Sequence, residues 1–199
     1  MHLSAFWIVF RPEFQVLEIS VINNHSVLIE RCLQGDQKAY YEVYKNYSRA
    51  MYNICYRILG SEAAAEDALQ ESFISAFQNL KSYQGKSAFG AWLKRIVINK
   101  AISHLRKVQM ELVDIDKGYD APELEDDDNA LLLHVDAVRK GIDQLPSGFR
   151  VVFSLYLLEG YDHKEIAEIL GITESTSKSQ YNRAKARLKE ILKLKIYHG

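Results

Sequence analysis

The run from Tyr161 to Lys195 constrains this chain more than any other feature, because its caps, turn and periodicity admit one supersecondary unit. Asp162 followed three residues later by Glu165 is a capping-box pair for a short helix, His163 to Leu170, and Gly171 supplies the left-handed residue that ends it. Thr173 recaps the chain after the three-residue turn Gly171, Ile172, Thr173, a length that crosses two helices steeply, with the small Ala167 where they touch. Ile166, Leu170 and Ile172 are expected in the core. The second helix, Glu174 to Lys195, buries Tyr181, Ala184, Leu188 and Ile191, and leaves Lys178, Arg183, Lys185, Arg187 and Lys189 for solvent or phosphate. A recognition helix reads duplex DNA from its N-terminal turns, so Thr176, Lys178, Ser179, Gln180, Asn182 and Arg183 are the candidate contacts. The bland alternative is a basic amphipathic helix that merely solvates one face, or a helix-turn-helix used for protein contact. The capped helix and turn in front of it favour DNA.

Upstream, the periodicity is helical throughout. Tyr40, Val43, Tyr44, Tyr47, Met51, Ile54 and Ile58 step by three or four between Asp36 and Ile58, and Gly60 stops that helix. Ser61 and Glu62 open the next, whose buried stripe is Leu69, Phe73, Ala76, Phe77 and Leu80. After a polar loop, Lys81 to Ser87, a third helix from about Ala88 to Lys107 buries Phe89, Leu93 and Ile96 and aligns Arg95, Asn99 and Arg106 on another side. Beyond it, Leu131, Val135, Val138, Ile142 and Leu145 form a further stripe, stopped by Pro146 and followed by a helix capped near Ser147 that ends at Gly160. No alternating pattern is long enough to build a sheet. The expected fold class is all-α: two small helical domains joined by an acidic flexible linker. The boundaries are 1–25 for an N-terminal extension, 26–107 for the first domain, 108–130 for the linker and 131–199 for the second domain.

Charge separates these parts. Val108 to Asp128 holds nine acids against Lys117 alone, a net of −8, so the 25 basic and 26 acidic residues of the whole chain become 24 and 17 outside it, a net of +7. A cationic folded part suits a polyanion partner, and self-repulsion keeps the linker extended. The two cysteines, Cys32 and Cys55, form neither a CxxC pair nor a zinc spacing, so they read as buried apolar residues in a reducing cytoplasm, with no metal and no cofactor expected. The apolar opening Ala5 to Phe10 is far short of the roughly 20 residues of a membrane helix and lacks a secretory leader; it reads as a docked or mis-started extension, with no membrane insertion. The six histidines are scattered, and no Gly-rich phosphate loop, nucleophile elbow or HExxH occurs, which argues against an enzyme and leaves no catalytic residue to name.

Two strings carry a resemblance. Asp67-Ala68-Leu69-Gln70-Glu71-Ser72-Phe73 and Phe89-Gly90-Ala91-Trp92-Leu93-Lys94-Arg95-Ile96-Val97-Ile98-Asn99 together resemble the region 2 signature of extracytoplasmic-function (ECF) sigma factors. Leu145-Pro146 and the helix-turn-helix resemble their region 4, and the similarity runs in order over about Val27 to Ile191. The resemblance implies that 26–107 is a sigma region 2 helical bundle and 131–199 a region 4 helix-turn-helix. It also implies a non-catalytic cytoplasmic initiation subunit that binds core RNA polymerase, recognises the −35 and −10 promoter elements as duplex and melted strand, and promotes melting. An anti-sigma protein is a typical further partner of the family.

On this resemblance Asp67, Gln70, Glu71, Ile74 and Gln78, which share the side of their helix opposite Leu69 and Phe73, dock on polymerase. The alternative is a solvated amphipathic face, against which the apolar Ile74 speaks. Tyr83, Gln84 and Lys86 of the loop supply the polar edges and charge that capture of an unpaired −10 base needs, and Arg95, Asn99, Lys100 and Arg106 hold backbone and duplex edge. Trp92 is either core or a stacking platform. The linker of about 23 residues spans roughly 75 Å when extended, about two turns of B-DNA. It either threads a basic polymerase channel or is a plain acidic tether. Three positions depart from the family pattern: Ser103 where an aspartate is common, Ser177 where a branched apolar residue is usual, and Gln180 where arginine is frequent. They are expected to alter promoter preference and weaken local packing. The closest rival is a one-component helix-turn-helix regulator, which needs no Asp67 to Phe73 surface.

Overall fold

The computed structural model describes residues 18–111 and 135–197, with side chains for 26–107 and 137–192. Helices follow one another as α1 (Glu18–Leu33), α2 (Gln37–Leu59), α3 (Glu62–Gln78), a short 3₁₀ turn (Leu80–Ser82), α4 (Phe89–Glu111), α5 (Val135–Asp143), α6 (Ser147–Phe153), a π-helical turn (Ser154–Leu158), α7 (His163–Leu170) and α8 (Glu174–Tyr197). No strand occurs among the described residues, so the expected all-α class holds. Most of the acidic segment, with Leu131 of the expected stripe and residues 1–17, lies outside the described residues; α4 runs on to Glu111.

The first bundle forms because α2, α3 and α4 each carry one apolar stripe and bury it against the other two. Val43, Met51, Ile54, Cys55 and Ile58 of α2 meet Ala65, Ala68, Leu69, Phe73 and Ala76 of α3 and Leu93, Val97, Ile98, Ala101 and Ile102 of α4. The small residues of α3 let the helices approach closely, and buried Ser72 satisfies its hydroxyl locally by donating to Ala68 O at 2.5 Å. α1, which the sequence periodicity did not single out, packs on α2 through Leu28, Ile29 and Cys32, and Tyr40 OH donates to Cys32 O at 2.7 Å. Ser61 caps α3 as the sequence implies, accepting from Ala64 N, and Asp36, which the sequence marks only as a boundary, caps α2 by accepting from Lys38 N at 2.8 Å.

In the C-terminal domain, Val138, Ile142, Leu145, Phe149 and Phe153 bury against Ala184, Leu188, Ile191 and Leu192 of α8. Pro146, not Ser147, occupies the N-cap of α6, without a side-chain cap bond. The ring of Pro146 holds the extended backbone that precedes the helix, φ −50° and ψ 145°, but offers no side-chain acceptor to the first-turn N–H groups.

The two domains pack against each other. Val151, Val152, Leu155 and Ile166 belong to the same buried cluster as the core of the first bundle. Arg150, 9% exposed, donates Nε to Arg57 O at 3.0 Å and Nη1 to Leu145 O at 3.4 Å. Its charge thus sits at the carbonyl ends of α2 and α5, where helix dipoles favour a cation, while burial pulls its pKa down. Glu159 pairs with Arg57 and stands 3.6 Å from Lys94 Nζ, and Arg106 Nη2 reaches Ile169 O at 3.3 Å.

Candidate nucleic-acid interface

The helix-turn-helix is built by its own short-range chemistry. Asp162 accepts from Glu165 N at 2.8 Å while Glu165 Oε2 accepts from Asp162 N at 2.9 Å, a complete capping box. Gly171, at φ +69°, ends α7 with its N–H donating to Ala167 O at 2.8 Å. Thr173 then caps α8, its Oγ1 accepting from Thr176 N at 3.0 Å.

The first turns of α8 present one exposed stripe, Ser175, Lys178, Ser179 and Asn182, spaced by three and four residues. Three of the six sequence-derived candidates therefore stand together and open. The other three are placed differently. Thr176 is half-buried and bonds Thr173 Oγ1 at 2.8 Å. Gln180 turns toward Gly148 of α6. Arg183 is half-buried at the edge of the stripe. Ser175 was not singled out by sequence, because its small hydroxyl carries no charge signal. Lys178 Nζ lies 2.6 Å from Glu174 Oε1, and that contact lowers the Glu174 pKa. Exposed pairs of this kind are weak, so the ammonium remains exchangeable for phosphate.

Beneath this stripe lies an aromatic stack. His163 is parallel to Tyr156, with ring centroids 4.4 Å apart and 12° between planes, and meets Tyr181 edge-on at 5.7 Å. Its Nδ1 is 2.9 Å from Oγ of Ser177, which is fully buried. The expected weakening of packing at Ser177 is therefore offset by a polar partner on the neighbouring helix.

On the first bundle, Asp67, Gln70, Glu71, Ile74 and Gln78 are all exposed along α3, and Ile74 is 57% exposed, unusual for a residue of its kind. Glu71 is tied to α4: Lys100 Nζ lies 3.6 Å from its Oε2 and His104 Nε2 3.2 Å from its Oε1, and these partners, His104 first, hold its carboxyl below the ordinary range. Beside the stripe, Tyr44, Ser48, Arg49, Tyr52, Glu66, Leu69 and Gln70 line an open depression of about 400 Å³. Tyr41 (67%) and Tyr44 (38%) are exposed. Sequence periodicity had assigned Tyr44 to the buried stripe. A tyrosine carries a polar tip and tolerates the helix shoulder, so its spacing alone cannot separate core from rim.

The loop between α3 and α4 is fastened by Tyr83, whose OH donates to Ser87 O at 2.7 Å and whose ring packs against Phe89 and Trp92, each 5.5 Å away. Trp92 is half-buried and belongs to this cluster. Gln84 and Lys86 are exposed at the loop tip. On α4, Arg95, Asn99 and Arg106 are exposed and Lys100 half-buried, so the four lie on the helix flanks away from Leu93 and Val97. Among the described residues no group of acids, histidines and cysteines is arranged to hold a metal, and no helix is long and apolar enough to cross a membrane.

Known proteins resemble the chain in both halves. The family model for Sigma-70 region 2 matches residues 43–110, and that for Sigma-70, region 4, matches residues 136–188. The ECF RNA polymerase sigma factor SigW of Bacillus subtilis (strain 168) is 30% identical over 178 residues, covering 83% of this chain and 95% of the relative. The ECF RNA polymerase sigma-E factor of Salmonella typhimurium is 32% identical over 171 residues, covering 80% and 89%. Among solved structures, the sigma factor RpoE of Bartonella quintana, in complex with the anti-sigma factor NepR, superposes with a TM-score of 0.52 at 24% identity, covering 78% of this chain and 98% of that one.

Proposed function

The chain belongs to the extracytoplasmic-function family of RNA polymerase sigma factors, and from that premise we infer how its residues divide the work. The chain directs core RNA polymerase to promoters and has no catalysis of its own. The observation that carries this reading is the coexistence, in one chain, of an open polar stripe on the recognition helix and an exposed α3 face with Ile74 at its centre. A one-component regulator has use for the first and none for the second.

In this reading Lys178, Ser179 and Asn182, flanked by Thr176, Gln180 and Arg183, meet the −35 element in the major groove. Asp67, Gln70, Glu71, Ile74 and Gln78 dock on core polymerase. Gln84 and Lys86, on a loop held by Tyr83, take the melted −10 strand, and Arg95, Asn99, Lys100 and Arg106 follow the backbone. The boundaries 26–107, 108–130 and 131–199 are the working divisions, the protein acts in the cytoplasm, and an anti-sigma protein is its expected restraint. Arg106 on Ile169 O places the helix-turn-helix beside α4. Two DNA elements about two helical turns apart are on the order of 70 Å distant, so the domains must part to read both. A weakly binding −35 module then suffices, because polymerase and the first bundle raise its effective concentration.

Reconstitution tests the reading. Core polymerase with this protein is expected to give promoter-specific transcripts that neither gives alone. Equally tight promoter binding without polymerase would instead identify a one-component regulator. Gln70→Ala with Ile74→Arg is expected to abolish co-purification with core enzyme, and Arg183→Ala to reduce use of the −35 element; unchanged co-purification or occupancy would remove the corresponding assignment.

A further inference from the structure

We propose that His163 and Ser177 form a positioning pair that sets the orientation of the DNA-reading turns of α8, a device resting on the reading of α8 as the −35 reader. The two residues lie on different helices of the motif, His163 at the first position of α7 and Ser177 in the first turns of α8, 2.9 Å apart between Nδ1 and Oγ. Ser177 is fully buried, so its hydroxyl has no water to turn to and needs a partner. It is also flanked by the stripe it would orient, since Lys178 and Ser179 follow it directly.

The rest of the contact confines the imidazole. Tyr156 stacks on one face and Tyr181, one turn after Ser177 on the same side of α8, closes the edge. Tyr156 and Tyr181 also touch each other at 4.6 Å, and Tyr181 stacks on Phe153. The ring therefore has a fixed place, and the hydrogen bond transmits that place to α8. A branched apolar residue at 177 would hold the helices by volume alone and tolerate small sliding. A hydrogen bond is directional, weakening steeply away from its preferred angle, and so fixes the rotation of α8 as well as its distance. Ser177 is thus a substitution with a partner, and the pair is a determinant of which bases Lys178, Ser179 and Asn182 reach.

The stack and the hydrogen bond can be removed separately. His163→Phe keeps an aromatic ring against Tyr156 and loses the bond; His163→Asn retains a hydrogen-bonding atom near the Nδ1 position and loses the stack. For a positioning pair the two variants should cross. His163→Asn is expected to lose stability with the stack but keep the wild-type −35 base preference. His163→Phe keeps an aromatic ring on Tyr156 but leaves the buried Ser177 hydroxyl without its partner. It is expected to melt less far below wild type than His163→Asn and yet to lose base preference and about tenfold in −35 occupancy, about 1.4 kcal/mol. Ser177→Ala should match His163→Phe, and the double variant should be no worse than either. Holoenzyme reconstituted with the full chain, on promoters selected from genomic DNA, gives occupancy and base preference; thermal unfolding of the same proteins gives stability. If −35 use follows melting temperature across all four proteins, or if His163→Phe and Ser177→Ala leave base preference unchanged, the pair is only structural and the proposal is overturned. Lys178→Ala with Arg183→Ala separates the premise: an unchanged −35 dependence there would refute the reading of α8 itself.

Discussion

A methyl group at Gly60 should do far more damage than its size suggests, and only while Arg150 is present. Gly60 ends α2 at φ +71°, and the guanidinium of Arg150 lies so close that an added Cβ would stand 2.8 Å from Cζ. Two costs follow for Gly60→Ala. The left-handed backbone costs an alanine about 1 kcal/mol. The methyl also displaces Arg150, breaking the Nε bond to Arg57 O at 3.0 Å, and a bond of this kind to a charged donor is worth about 1.5–3 kcal/mol. The Nη1 contacts at 3.4 and 3.5 Å are long and add little. Gly60→Ala is therefore expected to cost about 2.5–4 kcal/mol in the wild-type chain but only about 1 kcal/mol in an Arg150→Ala background, a coupling of about 1.5–3 kcal/mol. In melting temperature this is a fall of about 10 °C against about 3 °C for a chain of this size. Urea unfolding of the full chain followed by circular dichroism, on all four members of the cycle, measures it. Additivity within about 0.5 kcal/mol would show that the guanidinium does not hold the domains together at this helix end.

Two further outcomes follow from titrating groups. Burial pushes the Cys55 thiol up to about 12 and raises that of Cys32, so neither should react with a thiol-specific reagent at pH 8 until denaturant is added; rapid labelling of the native chain would contradict the packing. Burial, with Lys178 beside it, lowers the pKa of His163 despite the opposing Glu174 and Asp162. As pH falls below about 6.5 the unfolded chain takes up this proton first, so stability drops until the folded ring also protonates. Melting temperature against pH should accordingly be flatter for His163→Phe than for wild type between pH 7 and 5, and parallel curves would refute the assignment.

Much of the fold was legible because helix caps are local. Ser61, Asp162 with Glu165, Gly60 and Gly171 act on backbone groups within four residues, so the boundaries they set do not depend on the rest of the chain. The exposed α3 face was legible for a similar reason: Asp67, Gln70, Glu71, Ile74 and Gln78 sit opposite the side that Leu69 and Phe73 must bury. Tyrosines defeated the same logic, since Tyr44 keeps the helical spacing of the core and yet lies at an exposed rim beside the depression.

What sequence by itself determined is thus the all-α class, the helix ends marked by Gly60, Ser61, Asp162 and Gly171 and the helix-turn-helix, which rest on spacing along one helix or across one turn, and the family, which rests on the resemblance of its motif strings. Tertiary structure alone decided which distant groups meet. Nothing in the spacing says that Arg150 covers the end of α2, that Glu71 is shared with Lys100 and His104, or that Ser177, which reads from sequence as a packing defect, finds His163 on the facing helix. Those contacts need two elements brought together by buried apolar area, a non-directional force that fixes proximity first and leaves the directional bonds to choose the register.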